Sequence, residues 1–320
     1  MITSMPLISI GITCYNAELT IKEAIQSAID QTWINKEIVI VDDYSTDNSS
    51  SIIRNFIEKF EFIHYYQNKK NIGVAGSRNN IIKYANGDYI AFFDDDDVSN
   101  INRLEFQYIR IKDYKKKWIV DDPIICHSSR QVIFSDGKSA IEGTIGCNLN
   151  NISPSGDEVA SQILLGTPLN DGVGSIATCS QMGLKADYLS IGGFDESFRR
   201  QEDTELNIRL ALFGCHFVGI EEPLVTQFLT ESDDKSIDIE ETSMLNIIKK
   251  HRDYIEIKSN YTFVVSWIKM KFMFYKKNYF LFSFNLIILL IKYPLYSLNR
   301  LILSLPNLMK NYRYFNDNRQ

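Results

Sequence analysis

Within its first hundred residues the chain repeats one pattern, a short apolar run followed by an amphipathic helix, and no other feature restricts its fold as much. Leu7 to Thr13 is such a run, and residues 17–31 then place Ile21, Ala24, Ile25, Ala28 and Ile29 at helical spacing. Glu37 to Val41 is a second strand, and a polar turn leads from it to Ile52, Ile53, Phe56, Ile57 and Phe60 at the same spacing. Phe62 to Tyr66 reads as a third strand, residues 74–85 as a helix, and Asn86-Gly87-Asp88 as a turn. Tyr89 to Phe93 is a fourth strand ending in Asp94-Asp95-Asp96-Asp97. Units of this length call for an α/β fold with a mostly parallel sheet flanked by helices.

In open parallel sheets ligands bind beyond the carboxyl ends of the strands. That rule singles out Thr13, Tyr15 and Asn16 after the first strand, Asp42 and Asp43 after the second, and Asp94 to Asp97 after the fourth. Residues 139–175, rich in Gly, Asn and Ser, read as a long loop, and residues 202–213 as a helix. The acidic stretch 231–242 is expected to be a linker between a body at 1–230 and a helical, basic and aromatic region at 243–320.

A length of 320 with 45% hydrophobic residues suits a globular chain, and five scattered cysteines without a CxxC pair exclude a disulfide framework. A reducing, cytoplasmic location is the expectation, and Met1 to Ile10 lacks the basic start of a secretion signal. The net charge of −6 is uneven: residues 246–320 hold 13 Lys and Arg against Asp253, Glu256 and Asp317, so the body is strongly acidic. An acidic body argues against nucleic acid as its partner, and a basic tail argues for an anionic surface.

Four adjacent carboxylates raise one another's pKa and resist joint ionisation, a conflict that a divalent cation relieves. Oxygen donors favour Mg²⁺ or Mn²⁺; the alternative is a solvated acidic turn ahead of a helix at 101–116. Glu202-Asp203 opens a helix after Gly192-Gly193 and Arg199-Arg200, a setting for a base with cationic neighbours. Asn71 to Asn80 carries Gly76 and Arg78 ahead of an apolar helix, which could bring a guanidinium and helix-start amides to a phosphate. Neither GxGxxG nor GxxxxGK[ST] occurs, and the four His residues lack metal-ligand spacing.

Six segments in order, PLISIGITCYN (6–16), EIVIVDDYSTDNS (37–49), NIGVAGSRN (71–79), GDYIAFFDDDD (87–97), GGFDESF (192–198) and EDTELNIRL (202–210), resemble the family 2 glycosyltransferases over about residues 6–228. The resemblance implies a GT-A fold, a Rossmann-like sheet with flanking helices, and an inverting, metal-dependent transfer of sugar from a nucleoside-diphosphate sugar. It further implies Asp94 and Asp96 as the DxD-type Mn²⁺ or Mg²⁺ ligands, with Asp95 beside the donor. Thr13, Tyr15, Asn16, Asp42, Asp43, Gly76 and Arg78 would line the nucleotide-sugar pocket, and Asp203 would be the base, with Glu202 as the alternative. Tyr44 stands where such families usually have Gly.

A UDP-sugar donor, a glycan or lipid-linked acceptor and a place at the inner face of the cell membrane complete this expectation. Tyr279 to Ile291 is apolar for only 13 residues, short of the roughly 20 that span a bilayer. Its basic and aromatic setting suits a helix lying in the interface, and packing on the body or homodimerisation is the alternative. A nucleotidyltransferase shares the acidic site but needs a Gly-rich, Lys-containing phosphate loop that is missing. A catalytically silent nucleotide-sugar-binding or scaffold protein would have no use for both DDDD and ED.

Overall fold

The computed structural model describes residues 5–170, 174–229 and 236–303. Two compact units divide the chain, Met1–Val159 with Leu169–Thr230, and Ala160–Pro168 with Glu231–Gln320.

The first unit is built on a nine-stranded sheet. Its first half follows the sequence pattern: β1 (Ile8–Cys14), α1 (Ile21–Ile29), β2 (Lys36–Asp42), α2 (Ser49–Ile57), β3 (Ile63–Gln67), α3 (Val74–Tyr84) and β4 (Tyr89–Asp94). These four strands run parallel in the order β3-β2-β1-β4. Central β1 is buried on both faces, which is why Ile8, Ile10 and Ile12 alternate with small Ser9 and Gly11. A Cβ on Gly11 would lie 2.3 Å from Ile81 Cγ2, so α3 reaches β1 only because this residue has no side chain.

The second half is mixed rather than parallel. It comprises β5 (Val98–Ser99), α4 (Arg103–Trp118), β6 (Ile124–Ile133), β7 (Ser139–Glu142), the start of α5 (Gly156–Leu165), which from Ala160 on is assigned to the second unit, a 3₁₀ turn (Thr178–Ser180), β8 (Gln181–Leu184), α6 (Lys185–Ser190), α7 (Glu202–Leu212) and β9 (His216–Phe228). β8 lies antiparallel between β4 and β6, β6 pairs parallel with β9, and β5 and β7 add antiparallel edges. After α4 the regular strand–helix–strand repeat ends: β6 and β7 form a hairpin, which is antiparallel, and β8 enters antiparallel after a long connection. The expected loop at 139–175 contains β7 and α5; β7 is a four-residue, mostly exposed strand defined by its partner β6 rather than by its own pattern.

The second unit is helical: α8 (Ile237–Lys250), α9 (Arg252–Lys258), α10 (Tyr261–Tyr275) and α11 (Tyr279–Lys292). Of the linker expected at 231–242, residues 231–235 lie outside the described set, and 237–242 open α8, capped by Ser236 Oγ accepting from Ile239 N. Asn260 and Asn278 cap α10 and α11 in the same way. Phe263 packs its ring against Trp267, Tyr293 and Tyr296. Among the described residues no helix is long and apolar enough to cross a membrane.

Candidate active site

Parallel register collects the polar strand ends along one edge of the sheet. Thr13 lies opposite Val41 of β2 and Asp94 of β4, and Cys14 lies opposite Asp42. Beyond β1 the chain turns through Tyr15, half exposed, whose N–H donates to Asp95 Oδ2 at 2.9 Å. Asn16 then adopts a left-handed φ of 50°, donates its N–H to Ser45 Oγ, and accepts from Thr46 N through Oδ1 at 2.8 Å. These bonds tie the ends of β1 and β2 together. Tyr44, in the turn between, has a φ of 69°, which is the physical reason glycine suits this position. The tyrosine bears a backbone cost of order 1–3 kcal/mol and leaves its ring half exposed beside the strand ends.

Both expected carboxylates after β2 are buried and committed to the loops around them. Asp42 Oδ2 accepts from Ser50, Tyr65 and Gln67, and its Oδ1 accepts from Ser45 N. Asp43 accepts the Ile72 and Gly73 N–H groups at 2.8 and 2.7 Å, as well as Asn68 Nδ2. Asp43 thus holds the two amides just before α3, whose own first turn has no side-chain cap. Gly76 is buried in the first turn of α3, where a Cβ would meet Ile72 Cδ1 at 2.7 Å; its smallness serves packing.

Arg78, expected near the nucleotide or its phosphates, lies beside the acidic end of β4. It is 5% exposed and bridges two carboxylates, with Nη2 donating to Asp94 Oδ1 at 2.9 Å and Nη1 to Glu202 Oε1 at 2.8 Å. Burial pulls its pKa down, but Asp94, Glu202 and Asp203 outweigh that and raise it above the ordinary value. One guanidinium therefore joins the acidic end of β4 to the start of α7, across 124 residues of sequence. Glu202 is buried and its pKa is pushed up to about 7, chiefly by burial and then by the charge of Asp203, with Arg78 opposing. Asp203 is only partly buried, and its Oδ1 accepts from Thr204 N at 2.7 Å within its own helix. The residue that begins this helix, Gln201, has a left-handed φ of 59°.

The acidic run turns back on itself, Asp97 N donating to Asp94 O, so residues i and i+3 come together. An oxygen of Asp94, an oxygen of Asp97 and Cys179 Sγ lie within 4.8 Å of one another. Asp97 is 4% exposed, and neither of its side-chain oxygens has a hydrogen-bond partner among the described residues. Two carboxylates and a thiol, with unpartnered buried oxygens between them, fit a divalent cation; Asp96 of the expected pair is not one of these three.

Burial, then neighbouring charge, pushes both Asp95 and Asp97 up to about 8 from 3.8, with the Tyr15 amide opposing at Asp95. The folded state then holds these protons more tightly than the unfolded chain does. This contribution to stability is complete below about pH 4 and is lost as pH rises through about 8. The thermal midpoint in EDTA is expected to fall between pH 5 and pH 8, and saturating Mn²⁺ to flatten that slope, in a scanning-calorimetry series.

Sequence reasoning missed Cys179, 82 positions beyond Asp97, and the buried arginines that support it. Arg103 is fully buried and donates to Phe92 O, Ser99 Oγ and Gln107 Oε1, bracing the segment on either side of the acidic turn. Arg130 on β6 pairs with Glu142 on β7 and donates to Ser175 and Gln227. Arg130 lies in the polar middle of β6, IICHSSRQVI, and Arg103 in the polar first turn of α4, so the sequence pattern set neither apart.

Comparison with known proteins bears on the same segment. Residues 9–138 match the family model described as Glycosyl transferase family 2. Over 101 residues, 32% of this chain and 39% of the other, the chain is 42% identical to an Escherichia coli UDP-Glc:alpha-D-GlcNAc-diphosphoundecaprenol beta-1,3-glucosyltransferase, WfgD. The putative glycosyltransferase EpsE of Bacillus subtilis is 29% identical over 222 residues, 69% of this chain and 72% of its own length. The chain spans about two fifths of the length of several curated relatives it matches. The crystal structure of S. aureus TarS 1-349 in complex with UDP-GlcNAc has a TM-score of 0.58 at 17% identity, covering 83% of this chain and 72% of that one, so the fold is shared. The matched segment runs from β1 past the end of β6 and contains Arg78 and the whole acidic turn, so it is in this segment, residues 9–138, that the chain is similar to glycosyl transferase family 2.

Proposed function

We propose that this protein is an inverting, cation-dependent glycosyltransferase that moves a sugar from a UDP-sugar to a hydroxyl of a lipid-linked glycan. The observation that carries the reading is the Arg78 bridge, which sets the acidic turn after β4 beside the Glu202-Asp203 pair. Glu202 is occupied by Arg78, so Asp203, partly open to solvent, is the residue suited to act as the base. Its carboxylate takes the proton from the acceptor hydroxyl as that oxygen attacks the anomeric carbon, and the bond to the diphosphate oxygen breaks on the opposite side of the sugar. A divalent cation held by the acidic turn supplies charge stabilisation for the departing diphosphate. Thr13, Tyr15 and Asn16 line the donor side, and Asp42, Asp43 and Gly76 hold the loops that shape it. UDP as the nucleotide is supported by the TarS complex with UDP-GlcNAc, and the lipid-linked acceptor by the name of the E. coli relative.

A panel of nucleotide-sugars tested with Mn²⁺ and with EDTA checks this reading. One UDP-sugar is expected to raise the thermal midpoint only when metal is present, by about 2.7 kcal/mol of apparent stability at a hundred times its dissociation constant, and to be hydrolysed slowly without acceptor. No response to any donor from folded protein with Mn²⁺ present would overturn it.

The second unit supports attachment to an anionic membrane surface. On α11, Phe280, Phe284, Ile287 and Ile291 follow one another at i, i+4, i+7 and i+11 and are all exposed, Phe280 by 80%. Lys269, Lys271, Lys276, Lys277 and Lys292 lie on or beside α10 and α11. An apolar stripe flanked by lysines suits the headgroup boundary of anionic lipid. The protein is expected to sediment with phosphatidylglycerol-containing vesicles at low salt and to be released at high salt; indifference to such vesicles would leave the stripe to homodimerisation.

A further inference from the structure

We propose that Cys179 is a thiolate ligand of the cation site after β4, together with Asp94 and Asp97, so that the site selects Mn²⁺, Co²⁺ or Zn²⁺ over Mg²⁺. The inference deepens the proposed glycosyltransferase reading by naming the donor set, and it stands on three features of the chain. The turn closed by Asp97 N and Asp94 O puts the first and fourth carboxylates of the run on one side, whereas Asp95 is drawn away to Tyr15 N. The 3₁₀ turn before β8 then delivers Cys179 Sγ to the same place, its ligand atom within 4.8 Å of both carboxylates. Asp97 keeps two buried oxygens that meet no N–H or hydroxyl donor among the described residues, with only the weakly donating Cys179 thiol beside them, a costly arrangement that a bound cation relieves.

The surroundings of the sulfur fit its role as an electron-pair donor. Arg130 Nη1 and Gln227 Nε2 direct N–H groups toward Sγ at 3.7 and 3.9 Å, so the sulfur is an acceptor here. The Arg130 charge is already paired with Glu142. Arg78 occupies Oδ1 of Asp94, and a carboxylate has a second oxygen to offer. Three protein donors leave positions for water and diphosphate oxygens. A thiolate among carboxylates shifts preference away from Mg²⁺, whose ligands are oxygens, toward softer ions.

Cobalt substitution tests this without reference to turnover. Native protein titrated with Co²⁺ is expected to develop a near-ultraviolet thiolate-to-cobalt charge-transfer band at one equivalent. Cys179→Ser is expected to lose that band, although four other cysteines remain, and to bind Mn²⁺ about 10–100-fold more weakly while its Mg²⁺ affinity changes little. Asp97→Asn is expected to lose the band as well. The proposal is overturned if native protein binds Co²⁺ without the band, if the band survives in Cys179→Ser, or if native protein binds no Co²⁺. The native spectrum alone decides the matter should a variant fail to fold. A missing band alongside metal-dependent UDP-sugar binding would leave the glycosyltransferase reading intact and return the site to carboxylates alone.

Discussion

Asp203→Asn is expected to lower kcat for sugar transfer by about 10²–10⁴-fold, the usual size of a general-base contribution, with the affinity for donor and Mn²⁺ unchanged. The substitution keeps the shape of the side chain and its acceptance of the Thr204 N–H through the remaining oxygen, so a folding defect is not the expected cause. Glu202→Gln makes the contrast. Glu202 is bonded to Arg78 and buried, and the change removes a charge partner rather than a proton acceptor at the open edge. Its main effect should therefore appear in the thermal midpoint, with kcat falling less. Steady-state kinetics and donor titration calorimetry on both variants separate the two residues. Native turnover by Asp203→Asn, or a kcat loss confined to Glu202→Gln, would reverse the assignment.

The parallel half of the fold was legible because each strand and helix there carries its own periodicity. Ile8, Ile10 and Ile12 on β1, and Ile21, Ile25 and Ala28 on α1, are buried by spacing alone. The strand-end rule likewise located Thr13, Asp42 and Asp94 on one edge, since parallel register fixes their neighbours. What sequence could not supply were partners set by non-local pairing. β7 exists because β6 is beside it, and Cys179 reaches Asp97 because β8 inserts between β4 and β6. The same limit explains Arg78. Its position in NIGVAGSRN pointed to an anion as partner, but not to Asp94 and Glu202, which reach it from β4 and α7. Tyr44 is the converse case: a departure from the family pattern visible in sequence, whose backbone cost only the positive φ shows.

Arg78→Met should be the most destabilising single substitution at the site. Methionine fills much of the same volume but leaves Asp94 and Glu202, whose side chains are 25% and 11% exposed, without their shared counter-charge. Removing one partner from a buried ion pair costs on the order of 3–5 kcal/mol, which for a unit of this size lowers the thermal midpoint by roughly 6–20 °C. The pH dependence identifies the cause. Glu202 already titrates near 7 with Arg78 opposing the rise, and loss of the guanidinium pushes its pKa higher still. A carboxyl whose folded pKa is raised gives stability at low pH that disappears as pH climbs. The deficit of Arg78→Met relative to native protein should accordingly grow from pH 5 to pH 8. Adding Glu202→Gln to Arg78→Met removes one of the stranded charges and should recover part of the midpoint, a coupling that a double-mutant cycle measures. Arg78→Lys keeps the charge but not the two-pronged geometry, and should fall between native and Met in stability. If the deficit were independent of pH and the Gln substitution gave no recovery, Arg78 would be acting through packing rather than as the charge that binds the acidic turn to α7.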